Sequence, residues 1–415
     1  MIATGHSVLT LIIIGFILLE FLLDFILDKL NDTSWDKPIP AELEGLYDDT
    51  QYQKAQSYHR ELNKLSTLTS ILSTTLTVLF LWFKGFAYLQ IYIEQLTINP
   101  IGQALVFFGL FAIVSDIISL PFELYGTFVI EEKYGFNKMS LKTFVADKLK
   151  GYLLGAVIGV ALLSLFVLFY QYAGRMFWVY AWILFTVFSL FFVFIYTSWI
   201  MPLFNKFTPL ATGSLREKIE AFSQKVSFPL TKIQVMDGSK RSSKANAFFS
   251  GFGKKKTIVL FDTLINEQTD DELLSVLAHE VGHYKMKHIQ QGMIISILQM
   301  GLMLFLLSLF INEPKLSEAL GYSTDKPVFH LGLIAFALLY SPFSTLTGIV
   351  MNYISRKNEF EADNFAKENI GTGEYLISGL KKLSVNNLSN LNPHPAYVFV
   401  HFSHPPLLER VRNLM

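Results

Sequence analysis

Apolar residues run through this chain in long blocks. Seven of these blocks approach or exceed the ~20 residues needed to cross the ~30 Å hydrocarbon core of a bilayer. They fall at 8–27, 65–83, 101–120, 152–172, 177–200, 292–311 and 329–351. The first has neither a basic leading segment nor a small-residue cleavage site, which predicts a retained spanning helix rather than a signal peptide. One long polar insertion, 201–291, separates the fifth block from the sixth. Within it, 215–225 has the periodicity of an amphipathic helix, while 232–236, 245–249 and 257–261 read as short strands. Asp237-Gly238 marks a turn, and Gly251, Gly253 and the lysines at 254–256 read as a solvated hairpin tip. The pattern predicts an all-α polytopic membrane protein with a small α+β insertion. It divides into a five-helix membrane region (1–200), the insertion (201–291), two further spans (292–352) and a C-terminal part (353–415).

Composition agrees. Hydrophobic residues make up 52% of the 415 and charged residues 16%, and the mean hydropathy of +0.40 is too apolar for an ordinary soluble enzyme. Formal net charge is zero and no long basic run occurs, so nucleic acid is not an expected partner. The chain has no cysteine, which excludes disulfides and thiolate-bound zinc and leaves histidine and carboxylate as metal ligands. With the N-terminus outside and the C-terminus inside, all of the 34 lysines and arginines except Lys84, Arg175, Lys315 and Lys326 fall on the inner side. Cytoplasmic loops are enriched in these residues, so the insertion is expected to face the cytoplasm. Glu20, Asp24 and Asp28 share one face of the first block, and Asp116 and Glu123 lie around the end of the third. A carboxylate at membrane depth faces a bundle interior or water. Glu20 therefore predicts an aqueous cavity among the helices, whereas Asp24 and Asp28 fit the interface equally well.

The chemistry concentrates in Leu277-Ala278-His279-Glu280-Val281-Gly282-His283. Two histidines four apart lie on one helix face with a glutamate beside them, the H-E-x-x-H zinc arrangement in which the glutamate is the general base. Thr269 or Asp270 can cap this helix, and Asp271 and Glu272 suit its positive first turn. Two histidines leave zinc short of the three protein ligands that a catalytic site uses. The next histidine, His288, is five residues on and off the ligand face of a continuous helix. The third ligand is expected from Ser355-Arg356-Lys357-Asn358-Glu359-Phe360-Glu361-Ala362-Asp363. There Glu359 and Asp363 share a helix face, so that Glu359 can bind zinc while Asp363 accepts the other N–H of a ligand histidine. Glu361 is the second choice. In His401-Phe402-Ser403-His404-Pro405-Pro406, a histidine held before two prolines can stabilise an oxyanion or simply cap the final helix.

Taken together, the chain resembles the type I CAAX prenyl proteases. The resemblance rests on Glu131-Glu132-Lys133-Tyr134-Gly135-Phe136-Asn137, on Pro202-Leu203-Phe204-Asn205-Lys206-Phe207-Thr208-Pro209-Leu210 and on Gly238-Ser239-Lys240-Arg241-Ser242-Ser243, besides the histidine, Glu359 and His404 segments. It implies seven helices forming a water-filled chamber, a zincin-like catalytic domain and a single zinc on His279, His283 and Glu359. It also implies Glu280 as base and acid, Asp363 as partner of a ligand histidine, Asn246 holding substrate backbone, His404 at the oxyanion and Arg410 bracing the site. The expected substrates are peptides or proteins, with prenylated CAAX C-termini cut after the modified cysteine. One position departs from the family pattern: Lys244 stands where a histidine is common, which bears on substrate preference. The rival expectations are a quality-control protease of membrane proteins and a non-catalytic chamber or transporter with structural zinc. The absence of a dilysine-type signal at the C-terminus leans the location towards a bacterial inner membrane over the ER.

Overall fold

The computed structural model describes residues 1–250 and 256–415. Seven long apolar helices carry the membrane region: Val8–Ser34, Asp49–Trp82, Pro100–Tyr134, Leu141–Tyr172, Gly174–Leu203, His288–Phe310 and Phe329–Ile370. All seven expected blocks are there, but several helices run well beyond their apolar part. The second starts at Asp49, capped by the Asp48 side chain, because the polar stretch before residue 65 contains no helix breaker. The seventh runs on to Ile370 and stops at Gly371, whose φ of 94° suits glycine. At 1.5 Å per residue that helix is about 60 Å long, twice the hydrocarbon thickness. It therefore carries residue 352 and Glu359 on the same rod, across the boundary expected at 352/353.

Each span packs on the next in chain order, and the seventh returns to the first. Two of the spans are tied by charge: Lys148 Nζ lies 2.6 Å from both Asp116 and Glu123, joining the third span to the fourth. Glu20 lies 3.5 Å from the Thr345 hydroxyl, between the first span and the seventh.

The ring's two ends differ. At one, the N-terminus pairs with the loop before the seventh span (Ala3 N–H to Gly321 O, 2.9 Å), and Lys84 donates to Ala3 O. There Phe107 and His330, 4.7 Å apart, join the third span to the seventh. At the other end sits the α+β part. Its sheet has the order β1-β2-β4-β3, with β1 Phe207–Pro209, β2 Leu230–Met236, β3 Ala247–Ser250 and β4 Lys256–Phe261. β2 and β4 are parallel, and the outer strands run antiparallel to them. The helix Ser214–Lys225 buries Ile219 and Phe222 against Ile258 and Leu260 of β4 and Leu273 and Leu277 of the H-E-x-x-H helix. The three-residue β1 was not expected, being too short to show periodicity. The β3–β4 hairpin was expected, but its turn, including Lys254 and Lys255, lies outside the described residues. Lys256 is not at a solvated tip: it begins β4, with its ammonium 4.9 Å from the Tyr284 ring.

Candidate metal centre

The H-E-x-x-H helix spans Asp270–Lys285 and is nucleated by a capping box: the Thr269 hydroxyl accepts from Glu272 N, and the Glu272 carboxylate accepts from Thr269 N. Glu272 is further held by Ser378 and Lys382. Burial raises its pKa, but these donors outweigh burial and bring it to about 2. Leu277, Ala278 and Val281 are buried in the core of the α+β part, which anchors the helix there. Gly282 sits where this helix crosses the seventh-span helix. A Cβ there would lie 3.1 Å from Ala362 Cα, so glycine permits the close approach.

That approach brings the proposed ligands together. His279 Nε2 lies 3.2 Å from His283 Nε2, His283 Nε2 lies 3.2 Å from Glu359 Oε1, and His279 Nε2 lies 3.4 Å from Glu359 Oε2. Zinc ligands at 2.0–2.1 Å in a tetrahedron are separated by about 3.3 Å; the two histidine nitrogens stand at that spacing and each has one of the two Glu359 oxygens within 3.4 Å, so the three side chains form a group able to hold a metal ion. Glu359 is buried, and its Oε2 has no hydrogen-bond partner among the described residues. Arg410 Nη1 and His279 Nε2, each 3.4 Å away, offset its charge without a hydrogen bond, so the oxygen keeps a lone pair for a metal ion. Glu361, the alternative, turns instead towards His288, 3.1 Å away.

Partners hold the cluster in place. Asp363, fully buried, accepts from His279 Nδ1 at 2.8 Å, which leaves Nε2 as the metal-facing atom. Arg410 grips Asp363 with two donors at 2.9 and 2.6 Å and puts Nη1 3.4 Å from Glu359 Oε2. Glu280 is raised in pKa by burial, against the pull of the nearby histidines. Such a shift moves a carboxylate towards the neutral pH at which a general base is most useful. His404 is the exposed member, its Nε2 3.4 Å from Glu359 Oε1 and its Nδ1 3.0 Å from the Ser403 hydroxyl. Asn246 is exposed and immediately precedes β3, whose outer edge is unpaired among the described residues.

Some contributors escaped sequence reasoning. Arg356 donates to the carbonyls of Val398 and Phe402, and Asn352 to that of Val400, so one stripe of the seventh-span helix holds the segment bearing His404. The spacing of 352, 356, 359 and 363, each about one helical turn from the last, was the available signal. Lys244 lies 3.0 Å from the Tyr58 hydroxyl and 3.3 Å from Glu131, with its ammonium 4.6 Å from the Phe136 ring. Arg241 binds Asp147 through two donors and the carbonyl of Phe204. The segments around Glu131, Phe204 and Arg241 thus meet, though they are far apart in sequence.

Comparison with known proteins agrees along the whole chain. Residues 29–206 match the family described as CAAX prenyl protease N-terminal, five membrane helices, and residues 209–415 match peptidase family M48. A rice protein named CAAX prenyl protease 1 homolog is 36% identical over 411 residues, covering 97% of this chain and 96% of the relative. The human protein of that name is 36% identical over 420 residues, covering 91% and 88% respectively. The crystal structure of S. mikatae Ste24p superposes with a TM-score of 0.91 at 33% identity, covering 100% of both chains. A multi-pass membrane chain with this fold and these matches belongs to peptidase family M48, on its CAAX prenyl protease branch, and is a metalloendopeptidase.

Proposed function

We propose that the chain holds a single zinc on His279, His283 and Glu359 and cleaves prenylated protein C-termini at the cytoplasmic end of its membrane ring. The observation that carries the metal reading is the convergence of His279 Nε2, His283 Nε2 and the buried Glu359 carboxylate, each histidine nitrogen 3.2 Å from the other and within 3.4 Å of a carboxylate oxygen. When bound, zinc supplies Lewis acidity, polarising a carbonyl and lowering the pKa of water towards ~7. Glu280 takes a proton from the attacking water and returns it to the leaving amine. His404 donates towards the developing oxyanion from the exposed side. Asp363 keeps the His279 proton on Nδ1, and Arg410 keeps Asp363 in place. Asn246 and the free edge of β3 hold the substrate backbone in an extended form.

The prenyl preference comes from the relatives, whose names state CAAX prenyl protease activity. The cytoplasmic orientation comes from the lysine and arginine asymmetry, the four outside residues flanking the end opposite the metal. The named relatives are eukaryotic and lend no support to a bacterial inner membrane, so the proposal is confined to a membrane protein with its metal end in the cytoplasm. The experiment is cleavage of a farnesylated CAAX peptide beside its unmodified twin by the purified protein. The farnesylated peptide should turn over at least tenfold faster. Equal rates would favour the quality-control reading, and no cleavage of either would overturn the enzymatic one.

A further inference from the structure

His279 has Asp363 to hold its second nitrogen, and His283 needs a counterpart. Its Nε2 faces the other ligands, so its Nδ1 carries the ring proton and must donate it. The atom it meets is His288 Nδ1, 3.0 Å away. His288 Nε2 in turn lies 3.1 Å from Glu361 Oε2, and Lys357 Nζ is 3.7 Å from the other oxygen of that carboxylate. His288 is buried and its ring stands at 72° to that of His283, 5.2 Å between centroids. One assignment of protons satisfies every atom: His283 Nδ1–H donates to His288 Nδ1, and His288 Nε2–H donates to Glu361. Five residues along a continuous helix would carry His288 away from this position. The helix instead ends at Lys285, Lys287 adopts φ 63°, and a new helix starts at His288, which swings the ring beneath His283. A left-handed lysine is strained, and such strain persists where the surrounding structure requires it.

We infer that His288 and Glu361 form a positioning relay that fixes the tautomer and angle of the metal-binding His283, as Asp363 does for His279. This rests on the metal reading above. The test uses the full-length protein purified in detergent and stripped of metal, with zinc affinity measured by chelator competition and the visible absorption of bound cobalt(II) reporting ligand geometry. His288→Leu fills the space but accepts no hydrogen bond, while His288→Asn restores an acceptor near the Nδ1 position. The Leu variant should bind zinc 10–100-fold more weakly with an altered cobalt spectrum, and the Asn variant should recover to within about threefold of the parent. Zinc affinity unchanged in the Leu variant, or equally poor in both, would overturn the relay. Should His288→Leu fail to fold, the surface variants Glu361→Leu and Glu361→Gln serve in its place. The Gln variant, which keeps an acceptor, should bind zinc more tightly than the Leu variant, and equal binding by the two would contradict the proposal. Failure of the parent protein itself to bind zinc would instead remove the metal reading.

Discussion

The membrane ring and the metal end use polar residues in opposite ways. In the ring, only 6–17% of each spanning helix's most apolar window is buried inside the protein, so most of its apolar side chains are left uncovered by the chain itself. Its charges meet in isolated groups such as Lys148 with Asp116 and Glu123. At the metal end, buried charged groups interlock: Asp363, Arg410, His279 and Glu359 each touch at least two of the others. Burial of charge costs several kcal/mol unless the geometry is satisfied throughout, so the metal end is built for position, whereas the ring keeps its charges few and apart.

Four substitutions probe that contrast. Glu280→Gln removes the proposed base from the metal end without touching a proposed ligand. It should cut peptide cleavage by a factor on the order of 10²–10⁴ while zinc content, read by mass spectrometry, stays that of the parent. Asp363→Asn keeps the shape but not the charge that Arg410 and His279 share. Zinc affinity should fall 10–100-fold, measurable by chelator competition. In the ring, Lys148→Met leaves two carboxylates facing each other without their cation. It should lower the melting temperature in detergent measurably, with zinc affinity within twofold of the parent. A shared loss of metal would mean that the two regions are not independent.

The smallest effect concerns the start of the metal helix. Glu272 has a folded pKa of about 2 against an ordinary value of 4.5, so its stabilising contribution is complete above pH 4.5 and is lost as pH falls through about 2. Glu272→Gln should therefore melt below the parent at pH 7, with the gap narrowing steadily on acidification between those values. A gap independent of pH would contradict the charge-based anchoring.

The same contrast governs what the sequence disclosed. The spans were legible because bilayer thickness forces long apolar blocks. Their ends were not, since the polar extension of the second helix from Asp49 and of the seventh to Ile370 lacks any breaker. The convergence of His279, His283 and Glu359 was legible because two of them share a helix face and the third was the acidic residue of a second helix at a spacing that suits a metal. His288 was not, because counting along an unbroken helix misplaces a residue that follows a left-handed turn at Lys287. Nor could spacing show that Arg241 joins Asp147 to Phe204, a contact that exists only once the ring has closed.

The central claim is that Glu359, delivered by the polar continuation of the seventh span, completes the metal shell begun by two histidines on another helix. Zinc per chain, measured on the purified parent, Glu359→Ala and Glu361→Ala proteins at saturating zinc followed by desalting, tests it directly. The account predicts one zinc in the parent and in Glu361→Ala and a large loss in Glu359→Ala. Full zinc in Glu359→Ala, or its loss only in Glu361→Ala, would contradict it.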